Sequence, residues 1–384
     1  MRVDKEHLEL RSSHFTNLLD VLSNLQLNMP VIPTGGKVLV SGANGYVAMW
    51  VVRILLEKGY SVRGTVRSEE KGKFLADYFT ELGYGTKFEF FIVEDITKDG
   101  AFDEVVKDVD AIEHTASPFT YNVKEPDALL KPAVQGTVGM LRSALKAGSQ
   151  IKRIVITSSV AAIINPTTEP RVWNEDDWNT SAAEEFERLG AATSSITLYR
   201  LSKTLAEQAA WDFYKKYKSQ LSWDLTMINP SLVFGPPIQD LKSPSALNTS
   251  LATWFDTVVR GEGKLSMKEG LAVTSSWVDV RDTALGHVLA LQKEEAGGQR
   301  ITTSASGFIW QEWLNTANAL ENNPLKATYP NLPHGFPEII DENPERIIHI
   351  DFDPSKEQRI LGIKYRTLTE TTKDTLEEFA RRGW

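Results

Sequence analysis

The sequence predicts an α/β protein, a doubly wound parallel sheet with a smaller mixed lobe after it. Three observations carry that prediction. Short β-branched runs alternate with helical patterns between residues 37 and 230. Helical crossovers separate most of the successive strands, as parallel neighbours require. A glycine-rich turn stands at the first strand-to-helix junction.

The elements follow in order. KVLVS at 37–41 is the first strand, and it runs into the glycine loop. A helix over 47–57 closes at Gly59, where glycine tolerates the left-handed turn. SVRGTVR at 61–67 is the second strand, and a helix over 69–82 stops at Gly83. FEFFIV at 88–93 and VDAIEH at 109–114 are the third and fourth strands. A long helix over 126–147 ends at Gly148, before the fifth strand RIVITSS at 153–159. Another helix covers 199–218, and DLTMINP at 224–230 is the sixth strand. After Pro230 the texture changes to Pro- and Ser-rich loops between helices near 247–260 and 281–293. Residues 322–344 read as irregular, and short helices are expected over 357–361 and 368–381. The expected organisation is an extension at 1–28, a dinucleotide-binding domain at 29–230, and a lobe at 231–384 interleaved with it.

Composition narrows the function classes. The chain has 384 residues and no cysteine, which excludes disulfides, thiolate metal sites and a cysteine nucleophile. A net charge of −9 argues against nucleic acid or an anionic membrane as partner. No apolar run reaches the roughly 18 residues of a membrane span. The first 28 residues carry acids near the front and lack a signal-peptide core. Phe15, Leu18, Leu19, Leu22 and Leu25 fall at helical spacing there, but the segment reads as dispensable. The expected location is the cytoplasm, and the expected state a monomer or homodimer. None of the six histidines shows metal-ligand spacing, so no metal site is expected. Trp211, Trp277 and Trp313 sit in apolar patterns and read as core.

The turn Gly42-Ala-Asn44-Gly45-Tyr46-Val47-Ala48 has the demands of a dinucleotide site. Gly42 permits the tight turn, Gly45 lets backbone approach a pyrophosphate, and Ala48 allows close helix packing. The helix N-terminus adds free N–H groups and a positive dipole end. No Lys-Ser/Thr follows, so it is not a P-loop. Arg67 stands at the end of the second strand, with Lys71 after it. A site for NAD places a carboxylate there, whereas Arg accommodates a 2′-phosphate, so the cofactor expected is NADP or NADPH.

Ser159 ends the fifth strand, and ligands in open α/β sheets lie beyond such ends. Tyr199 and Lys203 begin the next long helix, four residues apart on one face. A free phenol has a pKa near about 10, and a nearby ammonium lowers it, which suits proton donation to a carbonyl oxygen. Tyr214 and Lys218 repeat the spacing, but 15 residues on, about 22 Å along the axis. They cannot serve the same site.

Together the stretches VSGANGYVA, RGTVRSEEK, VEDITKDGAFD, HTASPF, VITSSVAA, YRLSK, INPSLVFGP and WVDVRD resemble the extended short-chain dehydrogenases/reductases. Within them the chain is similar to the dihydroflavonol-4-reductase-like branch, especially fungal NADPH-dependent aldehyde, ketone and methylglyoxal reductases. The resemblance spans about 38–299. It implies a Rossmann domain and reduction of a small carbonyl substrate to an alcohol by hydride transfer, with Tyr199 as proton donor and Ser159 and Lys203 assisting. Carried over, the cofactor contacts fall on Gly42, Asn44, Gly45, Tyr46 and Val47, with Arg67 and Lys71 on the 2′-phosphate. Asp95 and Ile96 match adenine contacts, Ala116 and Ser117 mid-cofactor contacts, and Pro230 and Val233 the nicotinamide segment. Tyr199 and Lys203 also reach the cofactor. Phe119, Val160 and Leu232 match substrate-pocket positions. Two departures stand out. Ala133 replaces an Asn that supports a water-mediated proton relay in many relatives. Val160 and Leu232 replace tyrosines of the yeast methylglyoxal reductases, which implies a more apolar pocket. The Asn-Trp-Cys-Tyr signature of cinnamoyl-CoA reductases is absent, with SITLY in its place. Two other classes stay open: a non-catalytic NADP sensor on this fold, and an oxidising dehydrogenase or sugar epimerase.

Overall fold

The computed structural model describes residues 30–117, 125–320, 325–343 and 345–384. The extension at 1–28 and the pocket candidate Phe119 lie outside the described residues. Twelve strands are described: β1 (Lys37–Ser41), β2 (Ser61–Val66), β3 (Phe88–Ile92), β4 (Ala111–His114), β5 (Arg153–Thr157), β6 (Arg171–Trp173), β7 (Asp224–Pro230), β8 (Leu232–Phe234), β9 (Thr274–Asp279), β10 (Arg300–Thr303), β11 (Ser306–Ile309) and β12 (Ile350–Phe352).

Seven of them form one parallel sheet in the order β3-β2-β1-β4-β5-β7-β10. Its central strands read KVLVS, AIEH and RIVIT and are buried along almost their whole length, as a sheet covered on both faces demands. Alternate side chains feed two cores. Val38 and Val40 join one apolar cluster, while Leu39 between them joins the other. The first cluster lies under the helices Tyr46–Glu57 and Val280–Gln292, and the second under Asp127–Ala147 and Ser195–Tyr217.

The strand order reverses between β1 and β4, which lie side by side with Ser41 opposite His114. Loops leaving the two strand ends therefore diverge and leave a crevice. The glycine turn follows β1, and residues 115–117 follow β4, so both face that crevice.

The chain after Pro230 does not form a separate body. It returns as β10, which pairs with β7 at the sheet edge. It also builds a mixed three-stranded sheet, β11-β9-β8, in which β8 runs parallel to β9 and β11 antiparallel. The pair β12-β6 completes this side. Trp313 centres an aromatic cluster here, with edge-on contacts to Trp277 (4.9 Å between centroids), Phe234 (5.2 Å) and Trp254 (5.9 Å). Trp277 and Trp313 are core residues, whereas Trp211 is only half-buried at the rim of the second cluster.

Candidate active site

The glycine turn has the geometry that its residues demand. Gly42 adopts φ +64°, and a Cβ there would lie 3.1 Å from Cα and Cβ of Ala116. The helix Tyr46–Glu57 starts at Gly45 with no side-chain cap, so its first N–H groups point into the crevice unclaimed by a side chain. The phenol of Tyr46 turns away and donates to the carbonyl of Gly235 at 2.7 Å. Only the backbone of Tyr46 is therefore available to a phosphate.

A recess of about 240 Å³ opens beside this turn. Gly42, Asn44, Gly45, Arg67, Lys71, Ile96, Ala116 and Ser117 line it, eight of the residues expected to hold a cofactor. Arg67 and Lys71 are exposed. Glu69, which could neutralise them, pairs with Lys73 instead. Arg63 faces elsewhere and binds Glu89 and the carbonyls of Val105 and Lys107. Asp95 lies beside the recess. Its carboxylate accepts the hydroxyl and N–H of Thr97, which hold it below the usual carboxylate range. The crowding at Gly42, the uncapped helix start and the two cations fit a phosphorylated dinucleotide.

A second cleft, of about 420 Å³, continues from Gly45–Ala48 and Ser117. It gathers Ser159, Tyr199 and Lys203 with Pro230, Leu232, Val233 and Val160. The strand predicted to reach Ser159 stops at Thr157. Ser159 instead caps a one-turn 3₁₀ helix, its Oγ accepting the N–H of Ala161 at 3.1 Å. The helix predicted from Tyr199 begins at Ser195, because Ser194 caps it and accepts the N–H of Thr197 at 3.2 Å. Tyr199 and Lys203 therefore sit one turn apart inside a formed helix rather than at its fraying end.

Lys203 donates to Ser117 Oγ at 3.3 Å. Burial pushes its ammonium down to about 8, against the pull of Glu207. Glu207 sits four residues further along the helix and is itself buried. It accepts Ser158 Oγ at 2.5 Å, Asn229 Nδ2 at 2.9 Å and Arg300 Nε at 2.6 Å. Asn229 Nδ2 also donates to the carbonyl of Ser159 at 3.1 Å. One carboxylate thus fixes the helix Ser195–Tyr217 to the ends of β5 and β7 and to β10. A second buried chain runs from Glu113 through His287 to Thr157, at 2.7 and 3.1 Å. Burial pushes the Glu113 carboxyl up, against the pull of His287.

Residues 38–303 match the family described as NAD dependent epimerase/dehydratase. The ketoreductase azaE of Aspergillus niger is 37% identical over 349 residues, covering 88% of this chain and 96% of that one. The NADPH-dependent methylglyoxal reductase GRE2 of Saccharomyces cerevisiae is 35% identical over 355 residues, covering 90% and 98%. The crystal structure of the yeast methylglyoxal/isovaleraldehyde reductase Gre2 complexed with NADPH superimposes with a TM-score of 0.78 over 90% of this chain and 99% of that one.

The chain belongs to the NAD dependent epimerase/dehydratase family.

Within the frame of this family, the cleft holds residues that sequence reasoning missed. Ile164 and Ile350, which pack with Val160 in one apolar cluster, join Val160 and Leu232 in lining it. Asn248, Thr249, Ser250, Ser275 and Ser276 line the same cleft, so polar side chains stand beside the apolar ones that the sequence led us to expect. These come from the lobe after Pro230, where no local pattern singles them out. Glu207 did carry a signal. It lies at i+4 from Lys203, on the helix face turned to the sheet. Ala133 is buried in the helix Asp127–Ala147, and its carbonyl accepts Thr137 Oγ1 at 2.9 Å.

Proposed function

We propose that this epimerase/dehydratase family member is an NADPH-dependent carbonyl reductase that converts an aldehyde or ketone to an alcohol. The observation that carries this is the single cleft that joins Ser159, Tyr199 and Lys203 to the start of the glycine-turn helix. The names of the relatives, a ketoreductase and an NADPH-dependent methylglyoxal reductase, point the same way.

NADPH, when bound, supplies the hydride. Gly42, Asn44, Gly45 and Val47 would hold its pyrophosphate, Arg67 and Lys71 its 2′-phosphate, and Asp95 and Ile96 its adenine end. Ala116, Ser117, Pro230 and Val233 would seat the middle and the nicotinamide end. Ser159 Oγ and the Tyr199 phenol hold the carbonyl oxygen in place, and Tyr199 protonates it as negative charge develops. The Lys203 ammonium stabilises the phenolate that remains. Val160, Leu232 and Phe119 are the proposed substrate contacts. Residues 29–230 act mainly as the cofactor half, and residues 231–384 add Leu232, Asn248, Ser276 and Ile350 among others to the cleft. The net charge of −9 supports a small-molecule substrate over nucleic acid. Among the described residues no helix is long and apolar enough to cross a membrane. We place the protein in the cytoplasm as a monomer or homodimer. An oxidising or epimerase role on bound NAD is less compatible with Arg67, where a carboxylate would be wanted.

The direct test follows NADPH absorbance across aldehydes, α-keto aldehydes, β-keto esters and aryl ketones. Consumption with at least one class is expected. NADPH binding with no consumption across the panel would instead support the cofactor-sensing reading.

A further inference from the structure

His114 ends β4 and lies directly under the cleft, yet the mechanism above does not use it. Its ring is buried and held edge-on by Phe102, 5.8 Å between centroids at 88°. Its hydrogen bonds fix its tautomer. Ser41 Oγ accepts the N–H groups of Thr115 and Ala116, both at 3.1 Å, and so fills its two lone pairs. The Ser41 hydrogen must then go to His114 Nδ1, 2.9 Å away. A neutral imidazole that accepts at Nδ1 carries its proton on Nε2. Burial keeps the ring neutral by pushing it down to about 3, and the charge of Lys203 acts in the same direction.

His114 Nε2–H is therefore a buried donor with no protein acceptor among the described residues. A buried donor of this kind calls for a partner. Beneath Lys203 lies a cavity of about 20 Å³, and His114, Ser117, Thr137, Ser158, Lys203 and Glu207 are among its lining residues. One water needs roughly 10–15 Å³ and two to four polar neighbours. Both conditions are met.

We propose that one water bound in this cavity links His114 Nε2–H to the Lys203 ammonium, which makes His114 a positioning residue for the Tyr199/Lys203 pair. The proposal rests on the catalytic reading of that pair. The two lone pairs of the water accept from His114 and Lys203. Its two hydrogens go to oxygen acceptors. Thr137 Oγ1 already spends its own hydrogen on Ala133, and Ser158 Oγ spends its hydrogen on Glu207, so both can accept. The water thus turns its oxygen toward Lys203 and favours the charged amine.

Other titratable and charged groups stand near Lys203 among the described residues. Tyr199 and Glu207 lie on its own helix, and Arg300 from β10 already pairs with Glu207. Ser117 Oγ accepts from Lys203 above the cavity. On the β5 side Thr157 reaches His287, which pairs with Glu113. A ring that cannot donate at Nε2 removes the anchor of the water and leaves those groups in place.

The experiment compares His114→Phe and His114→Gln with the wild type by the pH dependence of kcat for NADPH-driven carbonyl reduction, and by crystallography. In His114→Phe the alkaline limb is expected to move down by about one pH unit, with NADPH affinity at neutral pH unchanged. In His114→Gln, whose amide N–H reaches the place of Nε2, the limb is expected to return toward wild type. A crystal structure of the wild type is expected to show a density peak within hydrogen-bonding distance of both His114 Nε2 and Lys203 Nζ, and His114→Phe to lack it. Superimposable pH profiles for wild type and His114→Phe, or a wild-type crystal structure with no such peak, overturn the proposal. Should His114→Phe fail to fold, the wild-type peak and the His114→Gln profile decide alone. If Tyr199→Phe abolishes turnover while the His114→Phe profile stays put, only this inference falls, and the reductase reading stands.

Discussion

At the scale of single residues, chemistry and cofactor choice separate cleanly. Arg67 and Lys71 are exposed on the recess beside the glycine turn. Arg67→Ala is expected to weaken NADPH binding roughly tenfold or more while leaving NADH binding nearly unchanged, since it removes one charge-assisted contact to a phosphate. Titration of both cofactors against the variant checks this. In the proposed role, Lys203 sets the pH response. Its ammonium is charged below about 8 and loses its proton above it, so kcat/KM for reduction is expected to be flat on the acid side of that value and to fall on the alkaline side. A pH–rate profile measures it, and a limb rising through 8 would contradict the role given to the ammonium. Gly42 is the residue whose backbone most constrains the turn. Gly42→Ala meets both a left-handed φ of +64° and the 3.1 Å approach of Ala116, so it is expected to cost about 1–2 kcal/mol of stability and to impair cofactor binding. Denaturant melts of the apo and NADPH-bound variant report the two effects separately.

At the scale of elements, the helix that carries Tyr199 and Lys203 is held by buried polar bonds as well as by apolar packing. Glu207 ties Ser195–Tyr217 to Ser158, Asn229 and Arg300. Glu207→Leu leaves Arg300 buried without its partner, and the expected loss is about 3–5 kcal/mol by chemical denaturation. The glycine turn and the Tyr199/Lys203 pair were legible because their signals are local: a fixed spacing in one loop, and a helical repeat of four. The seven-residue strand Asp224–Pro230 was legible at both ends for the same reason. The helix begins four residues before the Tyr199 that the sequence pattern predicts, because Ser194 caps it. The strands β6, β8 and β12 have three residues each, too few to show a period of two. Long-range pairing creates them, and no local window contains that information. The same holds for Glu113 and His287, 174 positions apart in the chain and 2.7 Å apart in space.

At the scale of the whole molecule, the site exists because the strand order reverses between β1 and β4. Thr157 at the end of β5, Pro230 at the end of β7 and residues beyond Pro230 line the cleft that opens there. The two halves share a sheet through β10, so their relative position is set by backbone pairing rather than by a hinge between separate bodies. The second apolar core backs that sheet. Leu141, fully buried within it, tests how far stability and catalysis are independent. Leu141→Ala is expected to cost about 2–5 kcal/mol on unfolding while kcat below the melting range stays near wild type. The proposed reaction, however, turns on one proton: the Tyr199 phenol gives it to a carbonyl beside a bound nicotinamide. The measurement that tests it most directly sets NADPH binding and carbonyl turnover of Tyr199→Phe side by side. Binding equal to wild type with turnover reduced by roughly a hundredfold to ten-thousandfold is the predicted result. Turnover at the wild-type rate in that variant would contradict it.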